Sequence, residues 1–187
     1  MVLAVALCLL CPFGDSLVDP ARPPASLADV RAVRLTQPIA VDGVLDEAVW
    51  RQGVRVSRFT QRDPIEGAQP SESTVVYIAY DDAALYVAAR LYDAHPDSIV
   101  ARLGRRDAQL DSDRFTVFLD PYHDRRSGFY FGVNAAGTLY DGTLYNDDWD
   151  DASWDGVWEG RARVDSLGWT VELRIPDSQL RFNDAGR

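Results

Sequence analysis

The stretch YNDDWDDASWDGVW, residues 145–158, places three tryptophans and five aspartates within a single turn-rich segment. A core excludes the acids and a solvated loop excludes the rings, so this composition asks for a ligand. Two chemistries fit. An exposed indole can stack on the apolar C–H face of a sugar ring while nearby carboxylates accept its hydroxyl protons. Alternatively, clustered carboxylates that repel one another can share a divalent cation. For stacking, Trp149 and Trp154 are the candidates, with Tyr145 beside them and Asp111 and Asp113 from the charged segment GRRDAQLDSDR as hydroxyl acceptors. For a cation, DASWDG at 151–156 opens like a calcium loop, but Ala162 stands where the twelfth-position acid belongs. A looser cage from Asp147, Asp148, Asp150, Asp151 and Asp155 is the expectation that remains. The competing expectation is that one ring folds back over the end of the domain and the acids are simply solvated.

Other reactive constellations are missing. The two histidines, His95 and His123, lie in separate turn sequences without zinc-site spacing. No G-x-S-x-G nucleophile turn and no phosphate-cradling glycine loop occurs. Glu172 is a candidate acid, with ion pairing to Arg174 or Arg163 as the simpler expectation. The sequence therefore points to binding, with a glycosidase as the least favoured alternative, since abundant Asp and Glu single out no catalytic pair. All nineteen basic residues are arginine and the net charge is −10. That balance disfavours nucleic acid and anionic membranes as partners.

The apolar opening MVLAVALCLLCPF is too short to span a bilayer and reads as the core of a secretory signal over residues 1–16. Export to the periplasm, outer-membrane surface or extracellular space follows as an expectation. Cys8 and Cys11 fall inside this leader, which leaves the mature chain free of thiol chemistry. Residues 17–38, rich in Pro, Ala, Asp and Arg, read as a linker.

From residue 39 onward the chain must supply the scaffold. IAVDG reads as a short strand, and VLDEAVW as one or two helical turns capped by Asp46 that turn Trp50 inward. Alternation of period two then recurs in STVVYIAYDD, ALYVAARLYD, RFTVFLDP, GFYFGVN, VWEGRARV and WTVELRI. TLYDGTLY carries an internal glycine that suggests a bulge. In WTVELRI, Trp169, Val171, Leu173 and Ile175 face inward, and Thr170, Glu172 and Arg174 outward. Trp50, Trp158 and Trp169 are expected in the core. Many short strands without a long helix predict an all-β, antiparallel β-sandwich over 39–187, a monomeric domain.

Five segments in order, IAVDGVLDEAVW, VVYIAYDDAALYVAARLYD, DRFTVFLDP, GFYFGVNAAG and GWTVELRIPDSQL, resemble the family 9 carbohydrate-binding modules. The resemblance implies a jelly-roll-type β-sandwich, binding of xylan- or cellulose-type polysaccharide, bound Ca²⁺ in some members and association with glycoside hydrolases. It is nearest to a branch in which such a module precedes an outer-membrane β-barrel, which makes a downstream barrel of the same protein an expected partner and a docking role the alternative function. It also implies that a further strand follows QLRF. Characterised modules grip a terminal sugar between two tryptophans. Leu110 occupies the first of these positions here, and the second lies past residue 187.

Overall fold

The computed structural model describes residues 30–146 and 149–181. Among these residues, nine strands form two sheets. They are β1 (Val33–Arg34), β2 (Thr74–Tyr80), β3 (Ala84–Tyr92), β4 (Arg114–Leu119), β5 (Ser127–Asn134), β6 (Leu139–Tyr145), β7 (Trp149–Asp151), β8 (Glu159–Asp165) and β9 (Gly168–Pro176), with one short helix, α1 (Ala48–Gln52). The first sheet has the order β1-β2-β3-β9-β8 and the second β4-β5-β6-β7. Every pairing is antiparallel except β1 with β2. The expected antiparallel β-sandwich is thus the observed architecture.

Alternation fixes the core. Val87 and Ala89 from β3 and Val171, Leu173 and Ile175 from β9 meet Phe129, Phe131 and Val133 from β5 between the sheets. Trp158 and Trp169 are buried there too, as their strand positions predict. Phe131 meets the Trp158 ring edge-on at 5.4 Å, a favoured geometry because the ring edge is positive and the face negative.

The opposite side of the first sheet is also covered. Residues 35–50 fold back over it, so that Trp50, Ala79, Ala84, Tyr86 and Ala88 form a second apolar cluster with Leu35, Ile39, Leu45 and Val49 against it. Trp50 is buried as expected, but outside the sandwich. Thr170 and Glu172 are therefore buried beneath this strap and do not face solvent. Glu172 is 1% exposed. It accepts the Asp42 and Gly43 backbone N–H groups at 3.0 and 2.9 Å and the Trp50 indole N–H at 2.9 Å. Burial, with help from Glu47 and against these donors, pushes its acid form up to a pKa of about 7.

Three local expectations change. The expected strand at 39–43 does not form, and the strand on this side is β1, inside the segment read as linker. Helix α1 starts after Glu47 with no side-chain cap, so Asp46 does not cap it. Glycine 142 in β6 makes no bulge, since pairing runs unbroken from Ser127↔Tyr145 to Val133↔Leu139.

Candidate functional site

The outer face of the second sheet is open, and a groove of about 590 Å³ lies along it. Its floor follows from a repeated pattern, Tyr-x-Gly, at Tyr130-Phe131-Gly132 in β5 and Tyr140-Asp141-Gly142 in β6. In register, Tyr130 opposes Gly142 and Gly132 opposes Tyr140. Each tyrosine lies flat across the neighbouring strand's glycine. A Cβ on Gly132 would overlap the Tyr140 ring, and a Cβ on Gly142 would lie 2.5 Å from the Tyr130 hydroxyl and 2.6 Å from the Asp151 carbonyl oxygen. The glycines are needed because only their lack of a side chain lets a ring rest on the backbone. The two rings spread in opposite directions, one toward β7 and one toward β4, about 7 Å apart along the strands.

The Tyr140 hydroxyl shares a hydrogen bond with Thr116 Oγ1 at 2.6 Å and donates to the Phe115 carbonyl at 3.2 Å. Burial, then the charges of Asp150, Asp107 and Asp141, push the Tyr130 hydroxyl up to about 12, so it stays neutral. Phe118, 65% exposed, stands beside Tyr130 with ring centroids 6.3 Å apart. Leu110, Gln109 and Ala108 form one wall, and Asp150 and Ala152 from β7 and its exit form another.

An ion cluster built around one buried carboxylate holds the first wall in place. Asp141, on the inward face of β6, is fully buried and ion-paired to Arg106. The Arg106 Nε lies 2.9 Å from Asp141 Oδ1, 3.7 Å from Asp107 and 3.4 Å from Asp155. Arg106 also donates to the Gly156 carbonyl at 2.7 Å, while the Gly156 N–H donates to Asp141 Oδ2 at 2.6 Å. The Asp141 N–H in turn donates to Asp107 Oδ1 at 3.0 Å. Loop 104–113 and the start of the path to β8 are thus tied to β6 by one buried carboxylate.

The sequence candidates scatter. Tyr145 and Trp149 face each other across the β6–β7 ladder with centroids 6.4 Å apart, and Trp149 is 63% exposed. Alternation along β6 puts Tyr140, Gly142 and Leu144 on the groove face and Tyr145 on the other, so this aromatic pair points away from the groove. Part of this turn-rich stretch, Trp149–Asp151, forms β7, and Asn146 takes the left-handed region that asparagine tolerates. Trp154 corrects the stacking expectation. It is half-buried and packs on Phe129 and Phe131 at 5.0 and 5.9 Å, closing the end of the core. Asp111 is exposed opposite Arg102, and Asp113 accepts the Val100 N–H at 2.7 Å, a loop-shaping bond.

The expected calcium cage is not assembled from the described acids. Asp150 lines the groove, Asp151 accepts the Ser153 N–H and hydroxyl, and Asp155 joins the Arg106 cluster. Asp147 and Asp148 lie outside the described residues. Among the described residues, Asp107, Asp141 and Asp155 bring three carboxylates within 4.8 Å of one another. That group does not fit Ca²⁺, because the Arg106 guanidinium already occupies the cation's place.

Sequence reasoning missed Tyr130, Tyr140 and Phe118. The signal was present in the paired Tyr-x-Gly spacing, which marks a ring seated on a neighbouring strand.

The model of the family described as carbohydrate family 9 binding domain-like matches residues 41–186. The chain belongs to this family. It is a family of non-catalytic carbohydrate-binding modules, so the domain is not an enzyme. Among solved structures, a family 9 module from Caldicellulosiruptor kristjanssonii in complex with cellotriose is 21% identical, covering 79% of this chain and 67% of that one, with a TM-score of 0.54. The module from that organism in complex with glucose is 22% identical over 83% and 72%, also at 0.54. A protein from Bacteroides uniformis provisionally assigned to carbohydrate binding is 15% identical over 79% and 72%, with a TM-score of 0.57. These likenesses carry the fold. No curated protein matches the chain.

Proposed function

We propose that this domain binds carbohydrate without catalysis, and that the groove on the outer face of the second sheet is the site. One observation carries the reading: Tyr130 and Tyr140 lie flat on Gly142 and Gly132 and offer ring faces at the floor of an open groove. Flat rings on a rigid sheet suit the apolar faces of pyranose rings, and Asp107, Gln109, Arg114 and Asp150 supply partners for hydroxyls. The ligand class is a β-linked glucan or xylan, by analogy with the cellotriose and glucose bound by the Caldicellulosiruptor module. Leu110 lines the groove where the family resemblance expects a stacking tryptophan, so the tyrosine floor takes over the stacking.

Calorimetric titration with cello- and xylo-oligosaccharides tests this. Heat of binding that disappears in Tyr130→Ala and persists in Trp149→Ala is the expected result. Loss of binding in Trp149→Ala alone would move the site to the other face. The exposed Tyr145–Trp149 pair favours a second reading, in which that edge docks a membrane-embedded part of an exported protein. Folded protein that binds no sugar would favour it.

A further inference from the structure

The groove has polarity. Three charged side chains line it, Arg114, Asp107 and Asp150. The Arg114 guanidinium carbon sits 6.0 Å from the Tyr140 ring centroid, which places the cation at that end. The carboxylates lie at the other end: Asp107 accepts the Asp141 N–H of β6 and Asp150 of β7 pairs with Leu144, on either side of Gly142, where the Tyr130 hydroxyl rests. Asp107 is poorly compensated, because it shares Arg106 with Asp141 and Asp155. Asp150 has no ion-pair partner among the described residues. The neutral Tyr130 ring therefore lies in a negative field, with its face toward the groove.

We propose that the Tyr130 end of the groove selects an amino sugar, with the pyranose ring on Tyr130 and its protonated amine between Asp150 and Asp107. The inference rests on the groove being the sugar site. A cation there gains from both carboxylates and from the negative face of the tyrosine ring. A uronic acid meets repulsion at the same place, and a neutral sugar gains neither.

The test is titration of the chain at pH 6, where an aliphatic amine is protonated. The probes are a β-1,4-linked glucosamine disaccharide, its N-acetylated form, cellobiose and a glucuronic acid-containing disaccharide. The free amine is expected to bind about fivefold tighter than the N-acetylated form, the size of one partly exposed ion pair. Raising the salt and Asp150→Asn should each shrink that ratio towards one, and Tyr130→Ala should remove binding of both. Equal binding of cellobiose and the amine, or preference for the glucuronic acid probe, overturns the inference while leaving the groove as the sugar site. Amine binding that survives Tyr130→Ala overturns it as mere attraction to an acidic surface. Absence of binding by all four probes overturns both this inference and the reading of the groove.

Discussion

The two outer faces of the sandwich meet water in opposite ways. On the first sheet, residues 35–50 lie across the strands, bury Trp50 and close over Glu172. On the second, no segment among the described residues crosses the strands, and the tyrosines themselves cover the backbone. Both faces carry polar and aromatic side chains at alternate positions. What separates them is the use of a distant segment as a cover on one side and of strand glycines as ring seats on the other. A covered face contributes stability, and an open face with fixed rings is available for ligand.

Five substitutions test this division, and the largest effect belongs to the covered face. Trp50→Ala should cost about 3–5 kcal/mol, the usual loss for a buried large aromatic, measured by urea denaturation. A loss below about 1 kcal/mol would mean the strap is not held by that ring.

Next comes the buried carboxylate. Glu172 in the folded chain holds its proton to a pKa of about 7, against an ordinary 4.5. The folded state then binds more protons than the unfolded state across this window, so stability is full below about pH 4.5 and falls as pH rises to about 7. The total change is at most about 3 kcal/mol. Midpoints of denaturation recorded from pH 4 to 8 should show this slope, and Glu172→Gln should flatten it. A wild-type profile without slope would show that the three N–H donors fully offset the burial.

The open face responds in function before stability. Gly132→Ala should cost about 1–2 kcal/mol, since the Tyr140 ring must leave its seat and loosen its bonds to Thr116 and Phe115, yet it should weaken sugar binding at least tenfold. Gly142→Ala should cost more, about 2–3 kcal/mol, because its neighbour includes the Asp151 backbone as well as a ring. Paired calorimetry and denaturation distinguish the two, and equal stability losses would contradict the seating geometry. Smallest of all, Trp149→Ala on the exposed β7 edge should change stability by no more than about 0.5 kcal/mol. A larger loss in thermal melts would assign the Tyr145–Trp149 pair a structural role.

Much of the fold was legible in the sequence because strand alternation is a local signal. WTVELRI placed Val171, Leu173 and Ile175 inside correctly. The same pattern misplaced Glu172, since the cover over it comes from a segment some 130 residues earlier in the chain. Local periodicity reports that two faces differ, not what lies against each. The site was less legible for a related reason. Trp149 and Trp154 stood out by type, but strand register sends one to the far face and the core claims the other. Tyr130 and Tyr140 looked like ordinary strand residues, and Gly142 like a bulge, until β5 and β6 were paired.

That pairing has a consequence for how the sheet assembles. Shifting β5 against β6 by two residues would leave every side chain on its proper face, so hydrophobic alternation alone would not detect the error. It would, however, set Tyr130 opposite Tyr140, or Gly132 opposite Gly142, and leave the aromatic rings with nowhere to lie. Only the observed alignment seats both at once. The crossed tyrosines and glycines thus act as a two-pin key for the hairpin, proofreading its alignment as well as paving the groove.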